Sequence, residues 1–143
     1  MERNNMEKEF IPFELSLKMK QLGFNEPCFG YYYTLNGKDW KFAEKSEYYR
    51  LDDEINIGGK FSLLAPTYSQ AFRWFRENHN LVYQINYLYN GNYQVVIHKN
   101  THEYMELIQD LEHACVDEIP DNYSYEEAEL ACLIKLIEIV KNK

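Results

Sequence analysis

Apolar and polar positions alternate in two stretches of the chain, and each stretch is interrupted by an Asn-Gly pair. The first stretch, residues 28–42, changes direction at Asn36-Gly37, a dipeptide that favours a two-residue type I′ turn. In that register, aromatic side chains face each other across the two strands and share one side of a hairpin. The predicted pairs are Tyr33 with Trp40 and Tyr31 with Phe42.

The second stretch, residues 81–99, contains Asn90-Gly91 and allows two registers. A two-residue turn would pair Tyr87 with Gln94 and would mix polar and apolar side chains on each face. A three-residue loop with a left-handed Gly91 makes one face wholly apolar, so burial favours this bulged turn. Its predicted pairs are Tyr87 with Tyr93, Ile85 with Val95 and Tyr83 with Ile97.

Four further segments carry apolar residues at helical spacing, and each has residues suited to a helix end. Pro12 and Gly23 bracket the first segment, Pro66 opens the second, Thr101 caps the third, and Ser124 with Glu127 makes a capping box for the last. The predicted helices are residues 12–22, 62–80, 101–115 and 124–143.

The second of these helices contains the sequence "AFRWFRE", in which aromatic and basic residues are interleaved. At about 100° per residue, Phe72 and Phe75 fall on an apolar stripe, whereas Arg73 and Arg76 fall on the opposite side. Trp74 lies at the edge of the stripe. The interleaving along the chain therefore predicts segregation in space, with the phenylalanines in the core and the arginines in water.

These elements predict an α+β fold, in which an antiparallel sheet built from the two hairpins is covered on one face by about four helices. Residues 11–143 would form one domain, and residues 1–10 a flexible N-terminus. The pattern assigns no element to residues 44–60, although "EINIGGK" is compatible with a short strand.

Composition narrows the classes of protein. The 143 residues are 45% hydrophobic and 16% aromatic, which is enough for a core and argues against a disordered chain. The net charge of −8 argues against a nucleic-acid binder, which normally shows a basic surface. The charged N-terminus is no signal peptide, and no run reaches the roughly 18 apolar residues of a membrane span, so a cytoplasmic protein is predicted.

Residue patterns for catalysis are weak. GxSxG, P-loop and dinucleotide-binding motifs are all missing from the sequence. The three cysteines are widely spaced and indicate buried reduced thiols, with Cys28 the best candidate for exposure. Asp110 and His113 have the spacing to bridge a metal, but a solvated polar face explains them better. We therefore predict no catalytic residue, metal or cofactor, and assign no role to the histidines, which are His79, His98, His102 and His113.

Thirteen tyrosines are more than a core of this size needs. Tyrosine tolerates half-burial, and interfaces are enriched in Tyr, Trp and Arg, so an exposed patch that contacts a protein is predicted. Arg73 and Arg76 could dock an acidic partner or a phosphate, although solvated helix residues would look the same. The candidate binding residues are Arg73, Trp74, Arg76, Tyr32 and Tyr125, and Tyr48, Tyr49 and Tyr123 could extend the patch.

Three stretches, "PCFGYY", "AFRWFRE" and "YEEAELACL", resemble a group of small uncharacterised proteins of Bacteroides-type gut bacteria and their phages and mobile elements. The resemblance covers the first helix, the start of the first hairpin, the second helix and the last helix. It implies an intracellular bacterial or phage accessory protein and carries no activity to any residue.

Three functions remain as hypotheses. The first is a non-enzymatic binding module that contacts a protein partner or associates with itself. The second is a nucleic-acid-associated accessory protein that uses Arg73 and Arg76. The third is a small hydrolase or metal enzyme, which would need a cleft holding Cys28 or His79 beside a carboxylate.

Overall fold

Helices and antiparallel strands combine in an α+β fold. The structure, a computed structural model, describes residues 7–49, 61–88, 93–100, 105–112 and 124–142. The strands form two antiparallel three-stranded sheets, of order β2-β1-β3 and β4-β5-β6. The elements are a 3₁₀ turn Glu7–Glu9, α1 Phe13–Gln21, β1 Cys28–Thr34, β2 Lys41–Tyr49, β3 Phe61–Ala65, α2 Tyr68–His79, β4 Leu81–Tyr87, β5 Tyr93–Asn100, β6 Met105–Glu112 and α3 Tyr125–Lys141.

The chain divides into two compact units, Met1–Gln70 and Ala71–Lys143, and the division falls inside α2. The predicted arrangement, one sheet covered by about four helices, matches the structure only roughly. The described residues form two sheets and three α-helices. The assignment of residues 11–143 to one domain stays a prediction. None of the described helices combines the length and apolar character needed to cross a membrane.

Helix α1 forms where the sequence predicts it. Pro12 precedes it in an extended conformation, with φ −62° and ψ 157°, and the left-handed Gly23, with φ 105°, follows its end. Leu15 and Met19 are buried on one stripe, and α1 packs against β3. The predicted helix over residues 12–22 is confirmed.

The first hairpin has a different register from the predicted one. The observed partners are Tyr33 with Lys41, Tyr32 with Phe42 and Tyr31 with Ala43. The strands are thus displaced by one residue, and a displacement of one residue exchanges the two faces of a strand. Tyr32, rather than Tyr31 and Tyr33, lies on the buried face of β1.

The side chain of Asn36 explains this register. Its Oδ1 accepts hydrogen bonds from the backbone N–H groups of Lys38, at 2.8 Å, and Asp39, at 2.9 Å. Gly37 has φ 79°, but Asn36 lacks the positive φ that a type I′ turn requires at its first central residue. The Asn side chain therefore closes a longer loop in place of the two-residue turn.

The segment before α1 contributes to the core of the first unit. Phe10, Tyr32, Leu63 and Ala65 form a buried cluster, against which Phe42 and other aromatic residues pack. Phe10 makes a β-bridge to Thr67 and is buried, although the sequence placed it in a flexible N-terminus.

The predicted second helix is correct only from Tyr68 onward. Residues 61–65 form β3, which pairs with β1, so Leu64 lies opposite Tyr31 instead of on a helical stripe. A proline ring disfavours the α conformation for the residue before it. Pro66 therefore keeps Ala65 extended, and the helix begins after it.

The predicted segregation in α2 is confirmed. Phe72 and Phe75 are buried, whereas Arg73 and Arg76 are exposed. The helix ends at His79, and Asn80 follows in the left-handed region with φ 56° before β4 begins.

The second hairpin has the register that burial favoured. Strands β4 and β5 pair Tyr87 with Tyr93 and Tyr83 with Ile97, as predicted. Val95 and Ile97 are fully buried. The predicted bulged turn itself falls at residues 89–92, outside the described residues.

The predicted helix over residues 101–115 is wrong, because residues 105–112 form β6 and pair with β5. Ile97 pairs with Gln109 and His98 with Leu107, so Ile108 is an extra residue at a bulge. One inserted residue breaks the two-residue period of a strand, and the apolar spacing of this segment then imitates a helix. The proposed cap Thr101 and the face residues Tyr104 and Cys115 lie outside the described residues.

Helix α3 is the predicted last helix, with bounds Tyr125–Lys141, and it packs against β4 and β5. Ser124 Oγ accepts a hydrogen bond from the Glu127 N–H at 3.1 Å, which confirms the predicted cap. The buried face includes the small residues Ala128 and Cys132, whereas Ile134 is exposed.

Candidate functional site

Four tyrosines of the second unit make up a group that we call the tyrosine cluster: Tyr83, Tyr87, Tyr93 and Tyr125. Three of the rings are in contact, and Tyr83 is linked to Tyr125 through its electrostatic influence. The β4–β5 register places Tyr87 opposite Tyr93, with ring centroids 5.3 Å apart and ring planes at 63°. Tyr125, the first residue of α3, lies 5.7 Å from Tyr93 at 77°. Tyr87 is 69% exposed and Tyr125 41% exposed, so the cluster presents aromatic surface to solvent.

One member of the cluster, Tyr83, packs against the core. Tyr83 is half-buried on β4, and its ring centroid lies 4.1 Å from that of the buried Phe72 on α2. Tyr83 and Tyr87 are four residues apart on one strand and therefore project from the same face. Tyr125 also contributes to the raised pKa of Tyr83, so this half-buried tyrosine lies near the exposed Tyr125.

The hydroxyl group of Tyr125 lies near two carboxylates. Burial raises the pKa of Tyr125 above its ordinary value, and Glu129, Cys132, Tyr93 and Glu126 raise it further. Both carboxylates follow Tyr125 within about one turn of α3. The hydroxyl of Tyr125 therefore stays neutral well above physiological pH.

The inner hydroxyl has a mixed environment. Burial is again the main cause that raises the pKa of Tyr83, with Tyr125, Cys132 and Glu129 adding to it, while Arg76 lowers it. The cluster consequently has acidic groups beside Tyr125 and a cationic group beside Tyr83.

Two of the five predicted binding residues meet at this cluster. Tyr125 is part of it, and Arg76 is close enough to Tyr83 to affect its pKa. Arg73 is exposed on the same helix as Arg76.

The predicted exposure of Tyr32 and Trp74 is wrong. Trp74 is buried, and its ring lies 5.0 Å from Phe75 and 4.9 Å from His79. Tyr32 is buried because the shifted register turns it inward, where its hydroxyl donates a 2.7 Å hydrogen bond to the Ile11 carbonyl. This hydrogen bond satisfies the Tyr32 hydroxyl, whose burial without a partner would be costly. Tyr123 and the side chains of Tyr48 and Tyr49 lie outside the described residues.

Sequence reasoning missed Tyr83, Tyr87 and Tyr93 as surface residues. Their pairing was predicted correctly, but the apolar face of the hairpin was interpreted as core throughout. Tyr87 ends β4 beside the turn, and the ends of hairpins are commonly exposed. The closeness of Tyr87 to the Asn90-Gly91 pair in the sequence was the signal that could have indicated its exposure.

Cys28 is fully buried, which agrees with the prediction of buried thiols, although it was the best candidate for exposure. Its Sγ donates to the Glu26 carbonyl at 3.3 Å. Burial, with a smaller contribution from Glu26, raises the pKa of Cys28 to about 12, and a hydrogen bond with Gln70 opposes this only in part. A thiol in this state is a poor nucleophile at neutral pH. Cys132 is buried as predicted.

Within the described ranges, no three His, Cys, Asp or Glu side chains lie close enough together to hold a metal ion. His79 packs against Trp74 and Phe75, His98 is half-buried on β5, and His102 and His113 lie outside the described residues. The arrangement that remains, exposed tyrosine rings beside carboxylates, is suited to recognition. Comparison of the chain with protein-family models, curated proteins and solved structures finds no match.

Proposed function

We propose that this chain is a non-enzymatic binding module that contacts another protein through the tyrosine cluster. The observation that carries the proposal is the exposure of Tyr87 and Tyr125, whose rings both pack against Tyr93. Tyrosine combines a large apolar ring with a hydroxyl that stays solvated, which is why interfaces are enriched in it.

The exposed rings have contacts within the chain that restrict them. Tyr93 touches both exposed rings, and the Ser124 cap fixes the first turn of α3, from which Tyr125 projects. Side chains that are already ordered lose less conformational entropy on binding, so they contribute more to affinity.

A nucleic-acid role has one supporting observation, the exposure of Arg73 and Arg76 on α2. The carboxylates of Glu126 and Glu129 oppose it, since they would repel phosphates from the tyrosine rings. The resemblance to accessory proteins of bacterial mobile elements supports a cytoplasmic setting and is compatible with either partner.

The proposal is tested with the double variant Tyr87→Ser, Tyr125→Ser and the matched control Leu35→Ser. Leu35 is 67% exposed and belongs to the other unit, so the control removes a similarly exposed apolar side chain elsewhere. Light scattering after gel filtration measures self-association, and affinity capture from a Bacteroides-type lysate detects partners.

We expect the wild type and the control to associate or to capture the same partner, and the double variant to lose that interaction while keeping its circular-dichroism spectrum. A double variant that binds as well as the wild type would refute the proposal. So would a wild-type chain that stays monomeric and captures nothing. A gel shift that disappears in Arg73→Ala, Arg76→Ala would support the nucleic-acid role instead.

A further inference from the structure

We propose that the tyrosine cluster accepts the ammonium group of a lysine side chain presented by the protein partner. This inference rests on the proposed function and specifies the chemistry of the partner. It combines the geometry of three rings with the charges around them.

The ring geometry favours a cation. An aromatic face carries negative electrostatic potential, and an ammonium group within about 6 Å of a ring centroid is attracted to it. Tyr93 meets Tyr87 at 63° and Tyr125 at 77°. Rings at steep angles can present more than one face to a single cation, which is how aromatic sites recognise ammonium groups.

The surrounding charges favour a cation as well. Glu126 is exposed in the first turn of α3, and Glu129 lies one turn beyond Tyr125. Both carboxylates act on the Tyr125 hydroxyl, because both contribute to the rise in its pKa after burial. A field that opposes a negative charge on the phenol also attracts a positive charge to the same place.

The N-terminus of α3 has the opposite tendency, since helix N-termini attract anions. Here Ser124 already caps the Glu127 N–H, and Glu126 and Glu127 place negative charge in the first turn. Arg76 acts on the half-buried Tyr83, whereas Glu126 and Glu129 act on the more exposed Tyr125. The net charge of −8 would also speed the approach of a basic partner.

The experiment is an NMR titration of the full chain with an acetylated, amidated tetralysine peptide, followed through the ring resonances of Tyr87, Tyr93 and Tyr125. Two comparison peptides isolate the charge: the same peptide with every lysine Nε-acetylated, and tetraglutamate. We expect saturable shifts with tetralysine, at least fivefold weaker binding with the acetylated peptide, and weakening in 0.5 M salt.

Two matched double variants test whether tetralysine binding depends on the carboxylates beside Tyr125. Glu126→Gln, Glu129→Gln should weaken tetralysine binding at least threefold. Glu14→Gln, Glu44→Gln changes two exposed carboxylates of the other unit, alters the net charge equally, and should leave binding nearly unchanged.

The inference is overturned if the acetylated peptide or tetraglutamate binds as well as tetralysine, if nothing binds, or if both variant pairs weaken binding equally. Its failure differs from failure of the proposed function. If the double variant Tyr87→Ser, Tyr125→Ser loses partner capture but the wild type does not bind tetralysine, the protein-binding role stands. The proposal of a lysine ligand is then refuted. Retained capture in that variant would refute the role itself.

Discussion

Gly30 is a position where one added methyl group has no room. A Cβ at Gly30 would lie 2.7 Å from both Cδ1 and Cε1 of Phe10, and 2.9 Å from Cε2 of Phe42. Ordinary contacts begin at 3.4 Å, so the Phe10 ring would have to move by about 0.7 Å. Strand β1 is paired on both sides, which prevents its backbone from retreating.

We therefore expect Gly30→Ala to destabilise the protein by about 1–2 kcal/mol. Overpacking a core costs about 1–3 kcal/mol, and the reduced entropy of the unfolded chain returns about 0.4–1 kcal/mol. Urea denaturation measures the change as a lower midpoint at constant slope.

A double-mutant cycle identifies the cause. Phe10→Val removes the two ring atoms nearest the new methyl group, so Gly30→Ala should cost at least 1 kcal/mol less in that background. Gly23→Ala is the control, because Gly23 has φ 105° and open space around it. Its cost of about 1–2 kcal/mol is backbone strain and should not depend on Phe10. An equal cost of Gly30→Ala in both backgrounds would refute the steric explanation.

Two further predictions follow from buried groups of the first unit. The Cys28 pKa is raised from 9.0 to about 12, so the folded state keeps a proton that the unfolded state loses, and stability should fall as pH rises from 9 towards 12. Between pH 8 and 10 the free energy of unfolding should fall by about 1.4 kcal/mol from this group. Urea denaturation should detect this loss in the wild type but not in Cys28→Ala. Parallel pH profiles of the two proteins would contradict the assignment. Tyr32→Phe removes the 2.7 Å hydrogen bond to the Ile11 carbonyl and should cost about 1–2 kcal/mol, whereas Tyr33→Phe, on the opposite face of β1, should change the denaturation midpoint little. Equal effects of the two tyrosine substitutions would show that the bond is unimportant.

The parts of the fold that burial decides could be predicted from the sequence. In α2, helical periodicity separated Phe72 and Phe75 from Arg73 and Arg76. In the second hairpin, only one register made a continuous apolar face, and the chain adopts it. Both predictions depended on a large free-energy difference between the correct arrangement and its alternatives.

The errors arose where local and non-local effects differ little in free energy. The Asn36-Gly37 pair favours a two-residue turn, but hydrogen bonds from the Asn36 side chain stabilise a longer loop. The spacing of Leu107, Ile108 and Leu111 suits a helix or a bulged strand, and only pairing with β5 distinguishes them. The bulge appears only once the two strands are paired, and residue spacing alone does not specify it.

The candidate site was partly predictable for the same reason. Composition indicated surplus tyrosines, and α3 was expected to begin near Tyr125. Whether Tyr32 or Tyr87 faces solvent depends on strand register and on where a covering helix ends. Those details emerge only when the elements pack.

The two tryptophans of the chain fall one in each compact unit, which gives each unit its own fluorescent reporter. Trp40 is half-buried and lies 4.7 Å from Phe13, whereas Trp74 is buried against Phe75. Their emission maxima should therefore differ. Replacing either one with phenylalanine would let an observer follow the denaturation of one half of the molecule at a time, and so learn whether the halves melt together or in turn.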